Sequence, residues 1–320
     1  METIRMPASF SGAPQSAMRL LLSTRFSESC FNAIPAVAQW MDDFASSLTI
    51  VHVYNPKKVH RADAQAQLNA FFAEADHYGG TRRVLLTGDE PAKSIAMFLE
   101  QDQHDLLLCP ATDQVGLPRP FHRSTRARLM HLTATPLWTI GASASGRSAR
   151  SPQRVGCMIS RRSDSRRPLE LAAQYAQFHG ACLQLMYLVP EVDDGTIRNT
   201  LTYNEPLSER AAARELGRLV DALSLTCEIY TARGVRSRSL ADMVTRARTD
   251  LLFIGKSEVL RRKLWLPDLA GFTESAGCPV ICVDHDRTQP LNRLFSGRSR
   301  ERHAIRRAAN TVSIETVPGS

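Results

Sequence analysis

Four arginines and a serine crowd one short stretch of the chain: Arg119, Arg123, Ser124, Arg126 and Arg128. Guanidinium groups make paired, charge-assisted hydrogen bonds to phosphate or carboxylate, and a hydroxyl at a helix start adds a further donor. The chemistry this pattern could do is recognition of an anion. A solvated basic helix face has the same composition, so both readings stay open. Two more arginines invite the same question. Arg25 and Arg161 each follow a short apolar run, Met18–Thr24 and Arg154–Ser160. An arginine so placed could meet an anionic ligand, or its long side chain could fill a vacated pocket.

No constellation for catalysis accompanies them. The sequence has no Gly-x-Ser-x-Gly elbow, no His-Glu-x-x-His helix and no Gly-x-x-x-x-Gly-Lys-Ser/Thr loop. Gly255-Lys-Ser257 has the end of a phosphate loop without its upstream glycine. The nine histidines are scattered, and His52 falls inside an apolar run where a structural role is expected rather than a metal ligand. The expectation is a protein that is not an enzyme and has no metal site.

The elements that must position these residues come in two copies. Short apolar runs of strand length open at Met18 and Arg154, followed by amphipathic helical stretches. In the first copy Phe31, Ile34, Val37, Met41 and Phe44 are spaced to share one helix face. Second strands (Leu48–Tyr54; Ala181–Leu188), polar helical stretches (about Arg61–His77; about Glu205–Leu223) and third strands (Arg83–Thr87; Cys227–Ala232) follow in each. Ser94-Ile-Ala answers Ser239-Leu-Ala, and Asp105-Leu-Leu answers Asp250-Leu-Leu, both at an offset of 145. The copies close on Thr135–Ile140 and Cys278–Val283. Strands apolar throughout and alternating with helices describe a parallel sheet covered on both faces. The expected organisation is an extension at 1–17, a domain at 18–140, a flexible linker at 141–153, a second domain at 154–284, and a basic, disordered tail at 285–320.

The order and spacing of these pieces resemble the universal stress protein family, present as a tandem pair. The residues that carry the resemblance are Leu48-Thr-Ile-Val-His-Val-x-x-Pro56, Gly88-Asp-x-Pro with Ile95, the two Asp-Leu-Leu strands and Cys278-Pro-Val-Ile-x-Val283. The resemblance implies an α/β fold of two tandem doubly wound five-stranded parallel sheets, order 3-2-1-4-5, of the adenine nucleotide alpha hydrolase-like type. It also implies pairing of the domains through their last strands, within one chain in a tandem protein.

Nucleotide-binding members of that family place an Asp after the first strand for adenine. After the fourth strand they carry Gly-x-x-Gly, about nine residues, then Gly-Ser or Gly-Thr, where backbone amides and a helix N-terminus meet phosphate. This chain departs from the pattern in both copies. Arg25 and Arg161 stand where the Asp would be, Pro110–Asp113 replaces the first glycines, and only Ser124 survives of the Gly-Ser beside Arg123. The second copy keeps Gly255 but has Glu258 and Pro267, which repel a phosphate and remove a donor. The resemblance thus implies a stress-response regulatory or binding protein with degenerate pockets. Residual nucleotide or phosphorylated-ligand binding in the first domain, through Arg25, Val53, Arg123 and Ser124, is the alternative, and a nucleotide there is the candidate cofactor.

Composition narrows the partners. The net charge of +8 first suggests nucleic acid, but 285–320 holds seven arginines against three acids and the stretch 141–154 adds three more arginines. The two domains are close to neutral, so salt-dependent nucleic-acid contact through the tail is a second alternative. An unidentified protein partner and a homodimer complete the expected partners. Seven cysteines without a Cys-x-x-Cys pair fit a reducing cytoplasm. Cys109, Cys157, Cys182, Cys278 and Cys282 are expected to be small buried hydrophobes, with Cys30 and Cys227 open as redox sensors. No secretory signal or membrane-length apolar run occurs, so no membrane partner is expected.

Overall fold

Eleven strands, built from β-branched and leucine-rich sequence, and seven α-helices make up the described part of this computed structural model. That part comprises residues 18–44, 46–110, 125–141, 151–159, 166–189, 227–233, 236–256, 276–284 and 313–316. In chain order the first half has β1 (Arg19–Thr24), α1 (Glu28–Asn32), α2 (Ile34–Phe44), β2 (Ser47–Tyr54) and α3 (Arg61–Ala70). A 3-10 turn (Ala73–Tyr78), β3 (Thr81–Thr87), α4 (Pro91–Gln101), β4 (Leu106–Leu108), α5 (Thr125–Leu132) and β5 (Leu137–Thr139) follow. The second half has β6 (Arg154–Ile159), α6 (Arg166–His179), β7 (Cys182–Val189), β8 (Cys227–Arg233), α7 (Arg236–Arg246), β9 (Leu251–Gly255) and β10 (Val280–Val283). The last strand, β11 (Ser313–Thr316), lies in the tail.

All strands join one 11-stranded sheet in the order β11-β8-β7-β6-β9-β10-β5-β4-β1-β2-β3. Each half is a doubly wound parallel sheet with the order 3-2-1-4-5. The halves meet where β5 and β10 pair antiparallel, Leu137 opposite Cys282, Trp138 opposite Ile281 and Thr139 opposite Val280. Both sheet faces are covered, and each of the two apolar cores runs without interruption through both halves. On one face α2 packs against α6 through Trp40, Phe44, Tyr175 and Phe178, with ring centroids 4.8–6.0 Å apart. Trp138, 1% exposed, lies in the same core at the seam.

One device recurs in both halves and explains the repeated Asp-Leu-Leu. Asp105 accepts a hydrogen bond from the Arg19 amide at 2.8 Å, and Asp250 accepts from the amides of Gln153 and Arg154 at 2.8 and 2.9 Å. The carboxylate before each fourth strand thereby satisfies backbone donors at the start of the first strand, which lie beyond the ladder.

Three expectations are corrected. The first amphipathic stretch is two helices, broken at Ala33, because Pro35 has no amide to continue the ladder from α1. Phe31 consequently leaves the common face and is 49% exposed. The polar helix expected to reach His77 ends at Ala70: Phe71 turns extended and Phe72 takes a φ of 50°, burying both rings. The tail, expected to be disordered, forms a strand at Ser313–Thr316 that pairs parallel with β8 from Glu228 to Thr231. The helical stretch expected at about Glu205–Leu223 lies outside the described residues. No helix among the described residues is long and apolar enough to cross a membrane.

Because Trp138 fills the seam between the two sheets, Trp138→Ala should cost about 3–5 kcal/mol. Urea unfolding followed by circular dichroism measures the loss.

Candidate functional site

In an open parallel sheet the strand order reverses between the first and fourth strands, and the crevice beyond their C-terminal ends is where ligands bind. In the first half that point lies between β1 and β4, which pair from Leu20–Leu106 to Leu22–Leu108. The Ser23 hydroxyl donates to the Leu108 carbonyl at 3.3 Å, tying the two strand ends together.

The turn that leaves β1 is held by three contacts. The buried Thr24 hydroxyl accepts from the Phe26 amide at 3.1 Å, and the His52 Nδ1–H donates to the Thr24 carbonyl at 2.9 Å. Phe26 has a φ of 58°, a left-handed conformation that costs a non-glycine residue roughly 1–3 kcal/mol. Its ring offsets that cost by lying 4.3 Å from the His52 ring and edge-on to Phe71. With Phe26 turned inward, Arg25 stands exposed at the lip of the crevice. The register that pairs Thr24 with His52 sets Arg25 level with Val53. Val53 itself points into the second core beside Gly88, so its side chain packs rather than lines an open pocket.

Below Arg25 the Cys109 thiol is buried. Burial pushes its pKa up, against the pull of the Ser23 hydroxyl and of the Arg126 and Arg25 charges. Arg25 therefore lies close enough to the switch point to be felt there. Beside it Ser27, at the start of α1, donates to the Cys30 sulfur at 3.4 Å.

The arginine row divides. Arg126 is 1% exposed and donates to the Thr139 hydroxyl at 3.2 Å, inside the protein at the end of β5. Arg128 pairs with Glu90 at 2.9 Å, joining α5 to the start of α4. Arg126 is therefore a buried cation and no part of a solvated face, whereas Arg128 lies in an exposed ion pair on the helix surface. Arg119, Arg123 and Ser124, and in the second half Arg161, lie outside the described residues.

In the second half Gly255 is the last residue of β9 and pairs with Val283, so it belongs to the ladder. The residue after it carries more of the site than the sequence suggested. Lys256 is 2% exposed, and its ammonium donates to the carbonyls of Thr133 and Thr135 at 2.7 and 2.8 Å. These carbonyls follow the C-terminus of α5 in the other half, where the helix dipole favours a cation. The lysine that stands where a phosphate loop would begin is thus committed to the seam. Its only trace in the sequence was Gly255-Lys-Ser257, and nothing local indicated an acceptor more than a hundred residues away.

The cysteines are free, and all are buried except Cys182, which is half-buried. Burial pushes the thiols of Cys227 and Cys282 up to about 11 and about 12. Cys182 also rises to about 12, through burial and then the Glu228 charge. Cys227, left open as a redox sensor by the sequence, is fully buried, without the exposure such a thiol needs. Among the described residues no group of three or more His, Cys, Asp or Glu is placed to hold a metal.

No family model matches the sequence, and a search of curated proteins finds no relative. Among solved structures the chain is similar to a universal stress protein from Archaeoglobus fulgidus DSM 4304. The TM-score is 0.63 at 14% identity, covering 83% of this chain and 96% of that one. A candidate universal stress protein from Pseudomonas aeruginosa UCBPP-PA14 gives 0.56 at 14% identity, covering 88% and 99%. A protein of unknown function from Pseudomonas aeruginosa PAO1 gives 0.56 at 14%, covering 85% and 94%. The chain has the universal stress protein fold. A coverage of 83% exceeds what either half supplies, so the universal stress protein fold is matched across both.

Two outcomes follow from this geometry. Lys256→Met leaves two buried carbonyls without their ammonium and should destabilise the protein by about 1–3 kcal/mol, read as a lower urea midpoint. Burial lowers the pKa of His52, against the raising effect of the Thr24 carbonyl, and burial likewise lowers that of His104. Both histidines are neutral in the fold. Their contribution is present above the ordinary value of ~6.5 and is lost as pH falls through it toward the lowered folded values. The urea midpoint should fall between roughly pH 7.5 and roughly pH 5, and His104→Gln should make that fall shallower.

Proposed function

We propose that this is a tandem universal stress protein, with domains at 18–140 and 154–284, acting in the cytoplasm as a non-catalytic stress-response regulatory or binding protein whose nucleotide pockets are degenerate. The observation that carries the reading is the use made of Lys256: the cation that directly follows β9 is spent on holding the halves together. The first crevice supports the same view. The arginine at its lip is not the carboxylate that would receive adenine, and Val53 offers its side chain to the core.

A second reading rests on Arg25 alone. It is exposed at the switch point, where it could meet the phosphate of a small ligand together with Arg123 and Ser124. Gly255 and Arg161 would play no part in such a site. Nucleic-acid contact through the arginines of the tail is a third reading and would be strongly salt-dependent.

Titration calorimetry with ATP, ADP and cyclic AMP tests the first two. Degenerate pockets predict no heat up to millimolar ligand and no ATP hydrolysis above background. Heat that disappears in Arg25→Ala would establish the second reading in place of the first. Turnover, or binding indifferent to Arg25, would overturn both.

A further inference from the structure

The pairing of β5 with β10 uses up, inside one chain, the strand edges at the centre of the sheet. A second copy can extend this sheet only at its outer ends. One end is β3, which carries the adjacent Arg82 and Arg83, held by Asp102 and Asp76. Charged edge strands of that kind resist pairing. The other end is β8, and there the chain lays down a strand of its own: Ser313, Ile314, Glu315 and Thr316 pair in parallel with Glu228, Ile229, Tyr230 and Thr231. The β8 edge is therefore competent to accept this sequence.

Chain connectivity does not decide which copy supplies it. Positions 284–312 separate β10 from β11, 29 residues in all. At ~3.3–3.6 Å per residue they reach at most about 95–105 Å. The path within one chain, across five strand spacings of ~4.8 Å and back along one strand length, is far shorter than that. The contact itself is small, four residue pairs where β7 and β8 share seven. Donor and acceptor lie on the same chain, so reciprocal exchange between two copies makes two identical contacts and closes with two-fold symmetry.

We propose that the β8 edge is an assembly site, at which two copies of this chain exchange their Ser313–Thr316 strands. The intrachain contact competes at an effective concentration in the millimolar range, so the exchanged dimer grows with protein concentration.

Native mass spectrometry of the full chain, mixing 15N-labelled and unlabelled protein, tests this. Dimers of mixed mass should appear and rise with concentration. Successive amides of a strand point to opposite sides, so Ile314→Pro together with Glu315→Pro removes whichever amide faces β8. That variant should lose the dimer at least tenfold while keeping the circular dichroism and melting temperature of the parent. Excess peptide Thr-Val-Ser-Ile-Glu-Thr-Val (311–317) should dissolve the parent dimer without unfolding it. A chain that stays monomeric at every concentration overturns the proposal. So does a dimer that survives both the double proline and the peptide.

Discussion

The antiparallel contact between β5 and β10 is only three residue pairs long, yet the arrangement of everything else depends on it. Each half contributes a parallel sheet whose fifth strand would otherwise be an open edge, and a strand as short as Leu137–Thr139 cannot stand on hydrogen bonds alone. What sustains it is burial on both faces. Trp138 and Ile281 face one core, and Leu137, Val280 and Cys282 face the other. The antiparallel sense also fixes the orientation of the halves. The C-terminal ends of β1 and β4 point one way and those of β6 and β9 the other, so the two crevices open at opposite ends of the sheet.

That orientation gives Lys256 its partner. Residues just beyond β9 in one half come level with residues just before β5 in the other, and Lys256 meets the carbonyls of Thr133 and Thr135 there. A buried ammonium is costly unless its hydrogen bonds are made, and two well-placed carbonyls at a helix C-terminus supply them. Arg126 enters the same region from α5 and meets Thr139. The charges of both cations are felt at Cys282, where they oppose the rise that burial imposes on its thiol. Lys256 thus joins the halves directly, while Arg126, which sequence alone could assign to an anion site, is held inside the first half beside the seam.

The repeat and the alternation of strands and helices were legible because they rest on local pattern, while the strand order came with the family resemblance those pieces carry. Apolar runs of strand length and amphipathic spacing can be read within a single copy, and the Asp-Leu-Leu offset appears when the two copies are aligned. What sequence reading missed depends on contacts far apart in the chain. Nothing around Arg126 distinguishes it from Arg128, yet one is buried against Thr139 and the other pairs with Glu90 near the surface. The left-handed turns at Phe26 and Phe72 were equally hidden, since aromatic residues rarely adopt them and only the packing of their rings accounts for it. In the tail, basic composition masked the β-branched run Thr311-Val-Ser-Ile-Glu-Thr-Val317, and net charge over 36 positions said nothing about its last few.

The two crevices are therefore not equivalent, although the sequence treats them alike by placing an arginine after each first strand. In the second half the side chain of Lys256, directly after β9, reaches the other half, so a ligand that drew it away would have to break two hydrogen bonds, one of them buried. In the first half the corresponding position after β4 is Cys109-Pro110, which holds no such bridge, and Arg25 remains free to solvent at the lip.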